Sequence, residues 1–284
     1  MTTGQRGERA SADTRGVPGL PPVEEREWTS VLWEVTASGV LAITLNRPEH
    51  LNALSHPLIQ ELNQLLDHAA ATPEVRVVTL RGAGIRAFSS GDDLKGMGGD
   101  PLRDNAYTGH HELVRRIRSL EKPVVALIHG WALGAGYELA VACDFRLCAD
   151  DIEVGDHRVT RAIGTIMGSS WFTPRLVGRG RALELLMTGR HLDAKEALEW
   201  GWANRVWPAA EFELRAAEYV EMLAKLPTRT AGMFKHAIDY SSVHGLRDSV
   251  AWEAEALGRL RLTEDSAEGR ASFIERREPD FKGR

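Results

Sequence analysis

The chain has 284 residues, of which 43 % are hydrophobic and 26 % are charged, and its formal net charge is -5. This length suits one large domain or two small ones, and the missing basic excess argues against a surface that binds nucleic acid. No apolar run reaches the length needed to span a membrane, so we expect no membrane partner. The two cysteines, Cys143 and Cys148, lie in apolar segments, which predicts buried thiols and a cytoplasmic protein rather than a disulfide framework.

The N-terminal quarter begins with a polar segment that has no apolar stretch of the signal-peptide type. Its acidic residues also argue against an organelle transit peptide, and we expect a disordered tail over residues 1–27. Two strand-like runs around Gly39 predict a hairpin within 31–45. Apolar residues at helical spacing predict a helix over 57–70, and a strand follows over 75–80.

A loop of small residues, Phe88 to Lys95, follows that strand and carries two adjacent aspartates beside Gly91. Aspartate next to glycine is common in surface turns, so the composition of this loop requires no chemical role. The apolar pattern then predicts a helix over 110–120, which leads into the segment 123–144.

The segment 123–144 predicts a strand, a tight turn and a helix in succession. Residues 124–129 are mostly apolar and partly β-branched, 134–136 are small, and 137–143 are mostly apolar again. A helix that starts after such a turn directs unpaired backbone N–H groups at its N-terminus towards a negatively charged oxygen. Glu138 lies beside those amides and is a candidate acid or base. The alternative is that the turn has no chemical role. Glu138 would then stand in the first helical turn only because the helix dipole stabilises an acidic residue there.

The rest of the chain changes from mixed elements to helices. Short strands are predicted over 145–149 and 152–154, whereas 155–168 has no clear pattern. The later elements are a strand at 206–207 and helices over 179–188, 194–200, 211–225, 228–241, 246–263 and 267–276. We therefore predict an α/β core over 28–206 that carries a helical region over 207–284.

Taken together, these segments resemble the enoyl-CoA hydratase/isomerase (crotonase) superfamily over roughly residues 28–282. The matching motifs are Asn46-Arg47-Pro48 with Leu51-Asn52-Ala53-Leu54, the loop Phe88 to Lys95, the segment 123–144, Thr188-Gly189-Arg190, residues 194–201 and residues 273–282. The resemblance implies a spiral of β-β-α units that makes two nearly perpendicular sheets. It also implies that the C-terminal helices build a homotrimer, which is often paired into a homohexamer.

The resemblance further implies an acyl-CoA thioester as the substrate. The backbone N–H groups matched to Asp92 and Ala135 would hold the thioester oxygen, and Glu138 would be the acid or base. Fixed amide donors stabilise an enolate oxygen more than a neutral carbonyl, which is why backbone donors suit this chemistry. Coenzyme A would be part of the substrate, and neither another cofactor nor a metal is implied.

The substrate-binding positions also follow from the resemblance. The matched residues are Asn52, Ala53, Leu54, Ser90, Gly91, Leu94 and Gly134. Lys282 is a candidate contact to the phosphates of coenzyme A on a neighbouring chain, and the alternative is a solvated lysine of the tail.

The chain departs from the family at the second acid of a hydratase. In the family a second glutamate follows a Gly-x-Pro segment, whereas here Arg158 or Thr160 falls at that position, depending on where a small insertion is placed. Asp156 or His157 could replace the missing acid. Asp92 is also unusual, since the family commonly has a small or apolar side chain at this position. Its carboxylate would oppose an enolate if it turned inward.

Several functions stay open at this point. A dinucleotide site would need a small residue where Leu139 stands, so the glycine pair of the turn is weak support for one. A single glutamate with an oxygen-binding amide pair suffices for double-bond isomerisation, and hydration or thioester hydrolysis are further possibilities. The alternative from another class is a non-catalytic protein that binds acyl-CoA.

Overall fold

The computed structural model describes residues 23–93 and 108–284. The strands of these ranges are β1 (Val31–Val35), β2 (Val40–Leu45), β3 (Val77–Gly82), β4 (Ala87–Ser89), β5 (Val124–Ile128), β6 (Trp131–Leu133), β7 (Phe145–Ala149), β8 (Glu153–Gly155), β9 (His191–Asp193) and β10 (Arg205–Trp207). They form a six-stranded sheet in the order β1-β2-β3-β5-β7-β10 and a four-stranded sheet in the order β4-β6-β8-β9. Most neighbours run parallel, and β1–β2 and β8–β9 are antiparallel.

Helices cover both faces of the larger sheet and make up the C-terminal region. Their bounds are α1 (His56–Ala71), α2 (Thr108–Ser119), α3 (Ala135–Ala142), α4 (Ser169–Val177), α5 (Arg179–Thr188), α6 (Ala194–Glu199), α7 (Ala209–Ala224), α8 (Thr228–Ser241), α9 (Leu246–Leu260) and α10 (Glu264–Glu275). Short 3-10 turns lie at Val23–Glu25, Pro48–His50 and His157–Arg161.

A repeated β-β-α unit connects the two sheets. Strands β3, β5 and β7 of the larger sheet each pass directly into β4, β6 and β8 of the smaller sheet, and a helix follows each pair. Because β4 and β6 are parallel neighbours, the loop after β4 and the turn after β6 emerge side by side. This topology therefore brings together the two small-residue segments of the sequence.

The core has two parts, one on each face of the larger sheet. The larger part joins the sheets to α1, α2 and α3, all of whose apolar faces are buried. The smaller part lies on the opposite face, where Phe212, Val220 and Leu223 of α7 pack against strand residues such as Val77 and Val125. The predicted helical region over 207–284 thus begins with a helix that belongs to the core of its own chain.

The sequence-based elements agree with the structure where the chain pattern is strong. The predicted hairpin, the strand 145–149 and the helices over 179–188 and 228–241 are confirmed. The end of the N-terminal tail was predicted wrongly, because Val23 is buried and its carbonyl accepts a hydrogen bond from the indole of Trp28. Residues 1–22 of that tail lie outside the described residues.

The short elements were missed. Strands β4, β6 and β9 have three residues each, and α4, which follows the unassigned stretch 155–168, was not predicted. Helix α3 also begins at Ala135, two residues before the predicted start, so the Ala135 N–H belongs to its first turn.

Both cysteines are free and fully buried, and burial raises the pKa of Cys143 and of Cys148 to about 12. The predicted buried thiols are therefore confirmed. Within the two described ranges, no helix is both long enough and apolar enough to cross a membrane.

Replacing Phe212 by Ala tests the place of α7 in the core. Phe212 is 4 % exposed, and removing a buried phenyl ring costs about 3–5 kcal/mol of the free energy of unfolding. Leu214→Ala is the matched control on the same helix, since Leu214 is 63 % exposed and its truncation should change that free energy by less than about 0.5 kcal/mol. Urea denaturation measures both changes, and equal losses would contradict the assignment of α7 to the core.

Candidate active site

The loop after β4 and the turn after β6 touch at Gly91. This residue has a φ of +109°, which side chains rarely adopt. A Cβ added there would lie 3.0 Å from the Leu133 carbonyl oxygen and 3.3 Å from the Ala135 nitrogen. Gly91 is therefore required for its conformation and for the close approach of the two segments.

Backbone hydrogen bonds fix the loop after β4 against residues 51–54. The Leu54 N–H donates to the Gly91 oxygen at 2.7 Å, and the Ser90 N–H donates to the Leu51 oxygen at 3.0 Å. The Asn52 side chain accepts from the Arg47 N–H and donates to two further carbonyls, at 3.0, 3.0 and 2.8 Å. The amide of Asn52 is thus fully engaged in holding loops, so any contact it makes with a substrate would come from its backbone.

The start of α3 presents a second backbone donor beside that loop. Gly134 precedes the helix with a φ of +54°, and a Cβ at Gly136 would lie 2.5 Å from the Ser89 oxygen. Across the described ranges, the N–H groups of Asp92 and Ala135 donate no hydrogen bond to the protein. Two unused backbone donors therefore lie on adjoining segments, as an oxygen-binding site requires.

Glu138 lies one turn into α3 and is fully buried. Its Oε1 accepts hydrogen bonds from the N–H groups of Met167 at 3.0 Å and of Ser169 at 3.2 Å, and Ile166 donates to both carboxylate oxygens at 3.2 Å. Its Oε2 lies 2.6 Å from Nη2 of Arg158. The carboxylate thus fixes the chain that leads into α4, a structural role that its position in the sequence did not reveal.

Arg158 carries the positive charge of the site. Its Nε donates to Asp156 Oδ1 at 2.8 Å and its Nη2 to Asp156 Oδ2 at 2.6 Å, while Nη2 also faces Glu138. Burial would lower the pKa of Arg158, but the hydrogen bond with Asp156 and the charges of both carboxylates outweigh it and raise the pKa. Arg158 is therefore a charged guanidinium shared between two buried acids.

A third acid approaches the same guanidinium from the neighbouring loop. Asp92 Oδ2 lies 3.8 Å from Arg158 Nη1, and its Oδ1 lies 2.9 Å from Nε2 of His110. Both Asp92 and His110 have nearly buried side chains. The carboxylate of Asp92 is thus directed towards Arg158 and His110, and its contact with His110 had no signal in the sequence because α2 is distant along the chain.

The structure separates the two residues that fall at the position of the missing acid, Arg158 or Thr160, and the two that could replace it, Asp156 or His157. Arg158 lies beside Glu138, whereas Thr160 is exposed and its hydroxyl donates to the His157 carbonyl. Asp156 is 3 % exposed and both its oxygens accept from Arg158. His157 packs against the ring of His191, and burial together with His191 lowers the pKa of His157.

The remaining predicted contacts differ in their surroundings. Ala53 and Leu54 are buried next to the loop after β4, while Leu94 lies outside the described residues. Lys282 is half exposed, with its Nζ 2.5 Å from Asp280 Oδ2. In the described part of the chain, no three His, Cys, Asp or Glu side chains group in a way that could hold a metal ion.

Comparison with known proteins gives one consistent family. The sequence profile described as enoyl-CoA hydratase/isomerase matches residues 35–284. The short-chain-enoyl-CoA hydratase of Clostridium acetobutylicum is 32 % identical over 86 % of this chain and 95 % of its own. The 2,3-dehydroadipyl-CoA hydratase of Escherichia coli is 32 % identical over 86 % of this chain and 96 % of its own.

Solved structures agree with the sequence matches. The crystal structure of an enoyl-CoA hydratase from Bacillus anthracis superposes with a TM-score of 0.86 at 35 % identity, covering 90 % of this chain and all of that one. The crotonase-type α/β fold that the motifs predicted is therefore confirmed, including a helical C-terminal region.

Substituting Arg158 by Met tests the buried ion pair. The change keeps the aliphatic stem but leaves the carboxylates of Glu138 and Asp156 without their cation, and breaking a buried pair costs about 3–5 kcal/mol of unfolding free energy. Arg161→Met is the matched control, because Arg161 is exposed on the same 3-10 turn and its loss should cost less than about 0.5 kcal/mol. Guanidinium denaturation compares the two, and a stable Arg158→Met protein would refute the structural importance of the pair.

Proposed function

The chain belongs to the enoyl-CoA hydratase/isomerase family, and from this premise we propose that it transforms an acyl-CoA thioester through an enolate. The N–H groups of Asp92 and Ala135 hold the thioester oxygen, and Glu138 moves the proton. This proposal rests on the two unused backbone donors, which adjoin each other across Gly91.

The backbone donors account for the stabilisation of the intermediate. Removing a proton next to a thioester places negative charge on the thioester oxygen, and preorganised N–H groups stabilise that charge more than the neutral carbonyl. One such donor contributes about 3 kcal/mol to lowering the barrier. No metal and no cofactor besides the coenzyme A of the substrate is part of this proposal.

The position of Arg158 decides which reaction the site supports best. Arg158 rather than a glutamate stands beside Glu138, and Asp156 is engaged as its partner on both oxygens. A single carboxylate remains to accept and return a proton, which suits isomerisation of a double bond or a related proton transfer. Asp156 is then a positioning residue that orients Arg158 rather than a second acid.

Hydration is the second candidate, and the similarity to relatives favours it, since the proteins from Clostridium acetobutylicum and Escherichia coli are both hydratases. Thioester hydrolysis would use Glu138 to activate water. A non-catalytic acyl-CoA-binding protein would keep the amide pair and use Glu138 only to fix the start of α4.

The coenzyme A part of the substrate has a candidate site beside the loop 51–54. An open recess of about 220 Å³ lies there, lined by Pro48, Leu51, Asn52, Ala83, Gly84, Ile85, Arg86 and Ala87. The backbone of Ser90 and Gly91 and the Gly134 turn would line the path from this recess to the thioester. We place the protein in the cytoplasm, in keeping with its buried free thiols.

The C-terminal helices favour an assembly of several chains. Beyond α7, large apolar side chains stay exposed in the single chain, including Phe234, Ile238, Val250, Leu257, Phe273 and Ile274. So much exposed apolar surface on neighbouring helices is typical of an interface between proteins. We propose a homotrimer or a homohexamer in which α8, α9 and α10 contact neighbouring chains.

Light scattering tests this assembly. The wild-type protein should have the mass of three or six chains at micromolar concentration, and Ile238→Glu should lower it because a charge would be buried at the interface. Ile238 is 67 % exposed, and Leu32 on the edge strand β1 is 56 % exposed, so Leu32→Glu is the matched control that keeps the assembly. A monomeric wild-type protein would contradict the proposal.

Glu138→Gln tests the acid–base role. General acid–base catalysis is worth about 10² to 10⁴ in rate, so turnover of the best acyl-CoA substrate should fall by that factor. The affinity for the thioester should change little, because backbone groups hold its oxygen. Steady-state kinetics over a panel of enoyl-CoA and acyl-CoA thioesters measures turnover by isomerisation, hydration and hydrolysis.

A second glutamate supplies the control for the structural effect of this substitution. Glu61 is also a buried carboxylate, and it accepts from the N–H groups of Thr29 and Ser30 at 2.9 Å each. Glu61→Gln should therefore lower the melting temperature without lowering turnover. If Glu138→Gln reduces stability alone and keeps wild-type turnover, Glu138 is structural and the proposed acid–base role is wrong.

A further inference from the structure

One donor of the site has no acceptor among the described residues. Arg158 is 8 % exposed, and its Nη1 is buried without a hydrogen-bond partner within residues 23–93 and 108–284. Oδ2 of Asp92 is 3.8 Å from this nitrogen, beyond hydrogen-bond distance. Buried polar groups are almost always satisfied, so a buried guanidinium nitrogen without an acceptor indicates that another molecule supplies one.

The position of Arg158 shows where that acceptor lies. The Cδ and Cγ atoms of its side chain are 3.6 and 3.7 Å from the point where a Cβ would stand at Gly134. Gly134 is joined directly to Ala135, whose N–H is one of the two proposed donors to the thioester oxygen. The guanidinium therefore lies next to the proposed position of the thioester, and the first carbons of the acyl chain are the part of the substrate that would bring an oxygen to Nη1.

The charges of the site select the kind of oxygen. Three carboxylates, those of Glu138, Asp156 and Asp92, already face Arg158, and Asp92 also contacts the imidazole of His110. A substrate carboxylate would add a fourth negative charge to this buried group, which is unfavourable. Arginine only donates hydrogen bonds, so the matching group is an uncharged acceptor, and a carbonyl oxygen fits best.

We propose that Arg158 is a specificity-determining residue whose Nη1 donates to a carbonyl oxygen on the third carbon of the acyl chain. Because this oxygen is on the third carbon, Glu138 can still remove a hydrogen from the second carbon. The hydrogen bond from Arg158 and the proton transfer by Glu138 therefore do not conflict. The enzyme then favours 3-oxoacyl-CoA thioesters over unsubstituted acyl-CoA. This inference rests on the proposed binding of the thioester at Asp92 and Ala135.

Titration calorimetry with three thioesters of similar size tests the inference on the wild-type protein. Butyryl-CoA has no oxygen on its third carbon, acetoacetyl-CoA has a carbonyl there, and malonyl-CoA has a carboxylate. A hydrogen bond from a charged donor should make acetoacetyl-CoA bind about tenfold to a hundredfold more tightly than butyryl-CoA. Malonyl-CoA should bind more weakly than acetoacetyl-CoA.

Variants of Arg158 assign the preference to this residue. Arg158→Met should remove the advantage of acetoacetyl-CoA over butyryl-CoA, whereas Arg161→Met should keep this advantage. Should Arg158→Met fail to fold, Arg158→Lys retains a cation beside Glu138 and Asp156 but lacks Nη1. It should lower the advantage by at least about tenfold.

The outcomes separate this inference from the proposed function. Equal binding of butyryl-CoA and acetoacetyl-CoA, tighter binding of malonyl-CoA, or an unchanged preference in the folded variant would overturn the role of Arg158 alone. If none of the three thioesters binds at millimolar concentration, the proposed acyl-CoA site is wrong and the inference falls with it.

Discussion

A single buried guanidinium joins the parts of this site that come from different segments of the chain. Nη2 of Arg158 lies 2.6 Å from both Glu138 and Asp156, and Nη1 faces the loop that carries Asp92. Glu138 in turn accepts backbone hydrogen bonds from the start of α4. Because a buried carboxylate is stable only when it is paired, the position of each of these elements depends on the cation.

The backbone supplies the other constraint. Two glycines allow the loop after β4 and the turn before α3 to approach each other, since any side chain at Gly91 or Gly136 would collide with the opposite segment. The parallel pairing of β4 and β6 brings these segments to the same place. Sheet topology thus positions the amide donors, while the ion pair positions the carboxylate, and the chemistry we propose needs both.

The sequence predicted the long elements and the order of the motifs, because helical and strand periodicity and glycine turns are local signals. It could not predict β4, β6 and β9, since three-residue strands are defined by their partners in the sheet. The proximity of Glu138 to the amide turn followed from helical spacing. The sequence could not show whether Arg158 or Thr160 takes the position of the missing acid. That choice depends on the 3-10 turn at His157–Arg161, which directs Arg158 inward and exposes Thr160.

The central claim is that the protein forms an enolate from a bound thioester. The most direct test is whether the hydrogens on the second carbon of the thioester exchange with solvent. Butyryl-CoA incubated with the enzyme in D₂O should gain deuterium at this carbon, and proton NMR follows the loss of the signal. Gly91→Ala should slow the exchange by about 10² to 10³, because the new methyl group would lie 3.3 Å from the Ala135 nitrogen. Gly178→Ala, at a positive φ with no atom within 4 Å, should leave the rate unchanged. Butyryl-CoA that binds to the wild-type enzyme without exchanging these hydrogens would contradict the account.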